Sequence, residues 1–257
     1  MAKSLNNKKK KAKGTKQPYS KTAGLLTAVI ILAVAVFGIY TVFLHPSDSR
    51  RVIVLDPVHG KDDYALQGIV AEDAFSRKLC DEIQTQLKAS GRYNVIETHD
   101  ADTMMSVKER ADVINSSGGD LLISIACRNG SLTPADGPVI FADKPSSGNH
   151  SKSIAFAGSL RQVFQDAGLN GSVSYLYYHK LANGRDSERI VDGSDTTDYG
   201  EETLGILEQT DIPGVVVRQI DVNSQTDVDA YTTDEGCKQL AALYVKAIDS
   251  YFGAGNE

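Results

Sequence analysis

Unbroken apolar runs that alternate with helical patterns constrain the fold of this chain more than any other feature. The segments DLLISIA (120–126) and IPGVVV (212–217) are nearly continuous in apolar residues. Runs of this kind are typical of strands in a parallel sheet that is covered on both faces. Between the strands, apolar residues recur every four positions and mark one face of a helix, as at Phe75, Leu79, Ile83 and Leu87. The pattern predicts an α/β domain with a mostly parallel sheet flanked by helices.

The predicted elements place polar residues at strand ends. Predicted strands cover 52–56, 93–98, 120–126, 137–142, 173–180 and 212–217, and predicted helices cover 72–89, 106–116, 151–168, 201–208 and 233–252. Residues 181–200 are polar and glycine-rich, which predicts a surface loop. His59, the pair Ala126 and Cys127, and Arg218 each lie at the end of a strand. Because sites in such sheets form at the carboxyl ends of strands, we expect these residues to share a site.

An uncharged segment precedes the domain. Residues 1–22 contain eight lysines and no acid, and residues 23–44 contain no charged residue. In a helix, 22 residues span about 33 Å, enough to cross the hydrocarbon core of a bilayer. A cleaved signal peptide is the alternative, but its apolar core is only about 7 to 15 residues long and is followed by small residues. The segment therefore predicts an uncleaved signal anchor.

This anchor sets the predicted organisation of the chain. Lysine-rich flanks stay on the cytoplasmic side, so residues 1–22 are a basic cytoplasmic tail. Residues 23–44 form one N-terminal transmembrane helix in the lipid bilayer, residues 45–51 form a linker, and residues 52–253 form an extracytoplasmic domain. The predicted location is the cell membrane, with a single pass.

Charge and cysteine content narrow the range of partners. The chain carries −6, so removing the eight N-terminal lysines leaves −6 − 8 = −14 for the remainder. An acidic domain argues against nucleic acid as a partner. The three cysteines are widely spaced without a CxxC motif, which argues against a disulfide framework or a zinc ribbon; they are Cys80, Cys127 and Cys237.

A histidine and a glutamate form the first candidate site. His59 stands at the tip of LDPVHG, just after a predicted strand, and Glu72 opens the next predicted helix. A carboxylate is favoured there by the positive end of the helix dipole. A His and a carboxylate thirteen residues apart across a loop can converge on one zinc ion. The alternatives are a structural histidine and a helix-start charge.

Several motifs together resemble a known family. LDPVHG followed by Glu72 resembles the opening of the zinc-dependent N-acetylmuramoyl-L-alanine amidases, the type-3 amidases of the bacterial cell wall, which read roughly DPGHGG and then Glu. The resemblance continues in order through ETHDAD (97–102), VKERADVIN (107–115), DLLISIACRNG (120–130) and LEQTDIPGVVVRQIDVNSQTD (207–227). It covers nearly the whole predicted domain and implies an amidase-3-like fold. It also implies zinc held by His, Glu and a second His, a catalytic Glu as general base, and hydrolysis of the amide between N-acetylmuramic acid and L-alanine in peptidoglycan.

The chain departs from the family pattern at the site. The resemblance carries His59 and Glu72 over as metal ligands, but Ala126 stands at the second His and Arg218 at the catalytic Glu. A guanidinium cannot act as a general base, because its pKa lies above about 12. Cys127 is the candidate substitute ligand, although adjacent strand residues point to opposite faces of a sheet. We therefore expect zinc to be absent or weakly bound, and the catalytic residue is left unassigned.

The departures lead to three functional interpretations. We expect Arg218 to replace the charge of the metal by pairing with Glu72, and also with Asp56. The favoured interpretation is a catalytically degenerate pseudoamidase that binds peptidoglycan or a cell-wall protein, or regulates cell-wall processes. The alternatives are an active zinc amidase with a rebuilt metal site, and a non-catalytic assembly protein whose contact surface is the segment 181–200.

Overall fold

The computed structural model describes residues 30–34, 49–59, 65–130, 137–181 and 183–253. The chain divides into two compact units, Met1–Ser49 and Arg50–Glu257. In the first unit residues 30–34 are helical, whereas the predicted tail, the rest of the predicted anchor and residues 45–48 of the linker lie outside the described residues. None of the helices in the described ranges is both long enough and apolar enough to span a membrane. The anchor therefore stays a prediction.

The second unit has an α/β fold, which confirms the predicted class. Its strands are β1 (Arg51–Pro57), β2 (Tyr93–Glu97), β3 (Leu121–Arg128), β4 (Val139–Ala142), β5 (Ser172–Lys180), β6 (Asp186–Asp192) and β7 (Gly214–Asp221). Its helices are α1 (Glu72–Ser90), α2 (Val107–Ser116), α3 (His150–Asp166), α4 (Gly205–Glu208), α5 (Gln225–Tyr231) and α6 (Asp234–Gly253).

The strands form one mixed sheet in the order β2-β1-β3-β7-β4-β5-β6. The strands β2, β1, β3 and β7 are parallel to one another. β4 runs antiparallel to β7, β5 is parallel to β4, and β6 runs antiparallel to β5. The sheet predicted as mostly parallel is therefore a mixed sheet, in which four of the six neighbouring strand pairs are parallel. An apolar run reports burial on both faces and does not report strand direction, which is why the prediction missed the reversal at β4.

The apolar runs correspond to strands that are buried on both faces. All eight residues of β3 are buried. One face of the sheet packs against α1, α3 and α6, where Phe75, Leu79, Ile83 and Leu87 of α1 join the larger core. The other face packs against α2 and α4 through Ile114 and Leu207. Burying each side chain of this size stabilises the fold by about 1.5–3 kcal/mol.

Local signals fix the ends of the helices that border the site. α2 begins with a capping box, in which the Glu109 N–H donates to Ser106 Oγ (3.3 Å) and the Ser106 N–H donates to Glu109 Oε2 (2.8 Å). α1 ends at Gly91, whose φ of +67° is left-handed and whose N–H donates to the Lys88 carbonyl. The start of α2 therefore has a defined position, and this position sets the direction of Arg110 in its first turn.

Two segments differ from the predictions. The segment 181–200, predicted as a surface loop, contains β6, which pairs with β5 from Ser174↔Asp192 to Lys180↔Asp186. The residues of β6 alternate between exposed and half-buried, so the strand carries no apolar run. The sequence pattern assigned no helix or strand to the segment 225–231, which forms α5, whose N-cap Ser224 accepts from the Asp227 N–H.

Candidate functional site

A cavity of about 600 Å³ opens at the carboxyl ends of β1, β3 and β7. Parallel strands place their sites at these ends, as the sequence predicted. The cavity has apolar walls and a group of ionisable residues, namely His59, Glu72, Arg110, Arg128, Glu188 and Arg218. The positions predicted to share a site, including Ala126 and Cys127, all line this cavity.

His59 reaches the cavity through an unusual backbone conformation. Its φ of +63° lies in the left-handed region, and no other non-glycine residue in the described ranges has a positive φ. Such a conformation costs about 1–3 kcal/mol and persists where neighbours hold it. His99 Nε2 donates to the His59 carbonyl (3.1 Å), and the Val58 N–H donates to the Ile125 carbonyl (3.1 Å). These bonds direct His59 Nε2 to within 3.2 Å of Glu72 Oε2.

Glu72 is the first residue of α1, and its carboxylate is almost fully bonded within the protein. The residue is 3% exposed. Oε1 accepts from the Cys127 N–H (2.7 Å), and Oε2 accepts from the Leu66 N–H (3.0 Å) in addition to its contact with His59. Burial acts to raise the pKa of Glu72, but the hydrogen bonds from His59, Cys127 and Leu66 outweigh burial and lower this pKa. Glu72 is therefore charged at neutral pH.

Asp56 is completely buried at the end of β1 and joins several elements. Its Oδ1 accepts from Thr98 Oγ1 (2.7 Å), and its Oδ2 accepts from Arg110 Nη1 (2.6 Å) and Ser124 Oγ (2.7 Å). The predicted pairing of Asp56 with Arg218 is therefore wrong. Arg110 in the first turn of α2 supplies the positive charge instead, and the network fixes the floor of the cavity.

Arg218 lies beside Ala126, its partner in the β3–β7 register. Its guanidinium donates to both carboxylate oxygens of Glu188, at 2.9 Å from Nη1 and 2.6 Å from Nη2, and lies 5.2 Å from the ring centre of Phe141. The predicted pairing of Arg218 with Glu72 is wrong, because the guanidinium forms its ion pair with Glu188. Burial acts to lower the pKa of Arg218, but the hydrogen bonds and charge of Glu188, together with the nearby charge of Glu72, outweigh burial and raise this pKa. Arg218 therefore stays a cation.

The described residues do not fit a catalytic zinc site. Such a site needs three protein ligands, and the position beside His59 and Glu72 that would supply the third holds the methyl group of Ala126. Cys127 packs into the core under α1 and α6, on the opposite face of the sheet from Ala126. Burial raises the pKa of its thiol, which disfavours the thiolate that binds metal. In the described ranges no three His, Cys, Asp or Glu side chains are grouped to hold a metal ion.

Two features of the site lay outside the sequence predictions. Glu188 was assigned to a loop, but it lies on β6, where the two-residue period of a strand places Glu188 and Ile190 on one side, facing the cavity. The loop 65–71 is fastened to the turn after β7 by the Ile69 N–H, which donates to the Val222 carbonyl (2.8 Å). Gly68 permits this contact, because a Cβ there would lie 2.4 Å from the Val222 oxygen.

Comparisons with known proteins agree with this architecture. The model of the N-acetylmuramoyl-L-alanine amidase family matches residues 53–250. No curated protein matches the chain. The catalytic domain of the amidase CwlV from Bacillus (Paenibacillus) polymyxa var. colistinus is 19% identical with a TM-score of 0.60, over 79% of this chain and 98% of that chain. An N-acetylmuramoyl-L-alanine amidase from Clostridium difficile 630 is 17% identical with a TM-score of 0.62, over 80% of this chain and 99% of that chain.

A third solved structure shows an amidase with a partner. The CwlD amidase from Clostridioides difficile, in complex with the GerS lipoprotein, is 16% identical with a TM-score of 0.59, over 80% of this chain and 100% of that chain. At these identities the solved structures establish the shared fold. The family match spans most of the chain and includes the elements that line the cavity. The chain therefore belongs to the N-acetylmuramoyl-L-alanine amidase family.

Proposed function

We propose that this chain is a membrane-anchored, extracytoplasmic pseudoamidase that binds peptidoglycan without cleaving it. The observation that carries the proposal is the pairing of Ala126 with Arg218 in the β3–β7 register, beside His59 and Glu72. By resemblance, Ala126 and Arg218 stand where the family has its second metal ligand and its general base. A methyl group binds no metal, and a guanidinium accepts no proton at neutral pH.

Retention of the cavity supports a binding role. Its volume of about 600 Å³ falls within the usual range for ligand pockets, about 300–1,000 Å³. The buried network around Asp56 and the bonds to Glu72 hold the cavity floor through hydrogen bonds within the protein. A cavity that keeps its shape but lacks a base and a third ligand is suited to hold a sugar-peptide and leave its amide bond intact.

The proposal is tested with the full chain purified in mild detergent. The chain is incubated with peptidoglycan sacculi, and three quantities are measured: the protein that pellets with the sacculi, the new amino termini released from L-alanine, and the zinc bound per chain. We expect pelleting, no release of amino termini, and zinc far below one ion per chain. Release of amino termini together with one zinc per chain would overturn the proposal in favour of an active amidase with a rebuilt site.

A cell-wall protein is the second candidate partner. The solved structure of the CwlD amidase in complex with the GerS lipoprotein is the observation that favours it. Here the assembly function replaces peptidoglycan binding, so the chain would not pellet with sacculi and would be recovered by crosslinking to a protein at the membrane. The predicted anchor at residues 23–44 is tested in cells that produce the full chain. The anchor requires the chain to fractionate with membranes, and it requires residues 52–253 to be accessible to protease added outside the cell.

A further inference from the structure

We propose that the cavity binds a carboxylate group of its ligand at Arg218, and that Glu188 occupies this position in the free protein. The inference rests on the proposed function, because it specifies which chemical group of a muramoyl peptide the cavity recognises. In this role Glu188 is an internal competitor, and the ligand carboxylate replaces it on the guanidinium.

The charges around the cavity single out Arg218. Arg110 and Arg128 also line the cavity, but neither of the acidic residues that they contact is a lining residue. Arg110 binds the fully buried Asp56 at 2.6 Å, and Arg128 lies 3.6 Å from Asp227. The acid that binds Arg218 is itself a lining residue, and the Glu188 side chain is 41% exposed. Of the three arginines, Arg218 therefore has the counterion that a ligand can reach and replace.

The guanidinium of Arg218 has support that does not depend on Glu188. It lies 5.2 Å from the ring centre of Phe141, a fully buried residue, so a cation–π contact holds it in place. A guanidinium binds carboxylates through two parallel N–H···O bonds, which is the geometry it already makes with Glu188. The exchange therefore replaces one bidentate pair with another of the same kind.

The exchange also places little strain on the rest of the fold. Glu188 projects from the edge strand β6, and its carboxylate is bonded to Arg218. When it swings away, its carboxylate enters solvent, while the backbone pairing of β6 with β5 is untouched. The apolar surfaces of Ala126 and Val216 lie on the same face of the sheet as Arg218 and suit the hydrocarbon groups that carry a ligand carboxylate.

Two matched probes test the inference with the full chain. N-acetylmuramoyl-L-alanine ends in a carboxylate, and N-acetylmuramoyl-L-alaninamide differs from it only at that group. Isothermal titration should show about tenfold tighter binding of the acid by the wild-type chain, because a charge-assisted pair is stronger than a neutral hydrogen bond.

Substitutions separate the roles of the two residues. Glu188→Gln removes the competing charge but keeps an acceptor for Arg218, so β6 stays docked. It should tighten binding of the acid by about threefold to tenfold and leave binding of the amide unchanged. Arg218→Gln should make the two affinities equal. Asp186→Asn is the matched control, because it removes one charge from the first residue of the same strand, two positions from Glu188 and outside the cavity lining.

Each outcome supports the inference or overturns it. Equal affinities for both probes, in the wild-type chain and in Glu188→Gln, overturn the carboxylate site and leave the proposed function standing. If neither probe binds while the chain still binds sacculi, the carboxylate site is likewise overturned and the proposed function still stands. If sacculi do not bind either, the proposed function fails, and this inference fails with it.

An equal gain in affinity from Asp186→Asn and Glu188→Gln would show a general charge effect and overturn the role of Glu188. If Arg218→Gln fails to fold, the gain expected of Glu188→Gln remains decisive.

Discussion

His59 Nε2 and Glu72 Oε2 lie 3.2 Å apart, so the two side chains that the family resemblance assigns to a metal bind each other directly. The Glu72 carboxylate is 3% exposed and also accepts two backbone N–H groups. In this chain the pair therefore contributes to folding whether or not it serves any ligand. Its energetic role can be measured separately from binding.

Glu72→Gln should lower the free energy of unfolding by about 2 kcal/mol at pH 7, because the amide nitrogen meets an N–H donor where a carboxylate oxygen accepted. The pKa of Glu72 is lowered in the folded state, so its contribution is present above its ordinary pKa and is lost as the pH falls through the folded value. Urea denaturation at pH 7 and at about pH 3 should show a larger difference between the two proteins at the higher pH. Glu82→Gln on the same helix is the control, and an equal loss at both pH values would contradict the prediction.

Asp56→Asn should destabilise the fold more strongly, by about 3–5 kcal/mol, because it leaves the buried guanidinium of Arg110 without its counterion. Guanidinium chloride denaturation measures the loss. The control is Asp112→Asn, which breaks an exposed pair with Lys108 and should cost about 0.5 kcal/mol or less. Similar losses in the two variants would mean that the network around Asp56 does not hold the cavity floor.

A third metal ligand can be restored at the position of Ala126. The double variant Ala126→His with Arg218→Glu supplies the imidazole and removes a nearby positive charge, so it should bind about one zinc ion per chain after dialysis. The wild-type chain should bind far less zinc. Inductively coupled plasma mass spectrometry measures the zinc content of both proteins. Adding Glu72→Gln should abolish the gain. A folded double variant that binds no zinc would show that His59 and Glu72 are not placed as metal ligands.

Asp143 gives the fold a pH dependence that is separate from the cavity. It lies just after β4, 2% exposed, and burial raises its pKa to about 6. A raised carboxyl pKa stabilises the folded state below the unfolded value of 3.8, and this stabilisation is lost as the pH rises through about 6. Asp143→Asn should therefore be about 2 kcal/mol more stable than the wild type at pH 7.5 and match it below about pH 4. Denaturation curves across this range provide the measurement, and a difference between the two proteins that stays constant from pH 4 to pH 7.5 would contradict the prediction.

The sequence predicts the part of the site that is built from neighbouring elements. His59 ends one strand and Glu72 begins the next helix, so a short loop brings them together. The apolar faces of β1, β3 and α1 are likewise visible as continuous runs or four-residue repeats. For these features the local sequence pattern and the structure agree, because each feature is determined by residues that are close together in the chain.

The partner of Arg218 could not be predicted in the same way. Glu188 is 30 residues away in sequence and lies on an edge strand whose residues are exposed or half-buried. A strand with polar residues on both sides has no apolar alternation, so it resembles a loop. The reversal of β4 against β7 was missed for a related reason, since strand direction depends on how long connections cross the sheet and not on composition.

The contact between Gly68 and Val222 couples two rims of the cavity mechanically. The loop that carries Leu66 is fastened to the turn after β7, and the Leu66 N–H in turn holds the Glu72 carboxylate. We expect a displacement of that turn to shift the Leu66 peptide and to alter the bonding of Glu72. The loop and the turn are therefore held together as one rim of the cavity, although about 150 residues of chain separate them.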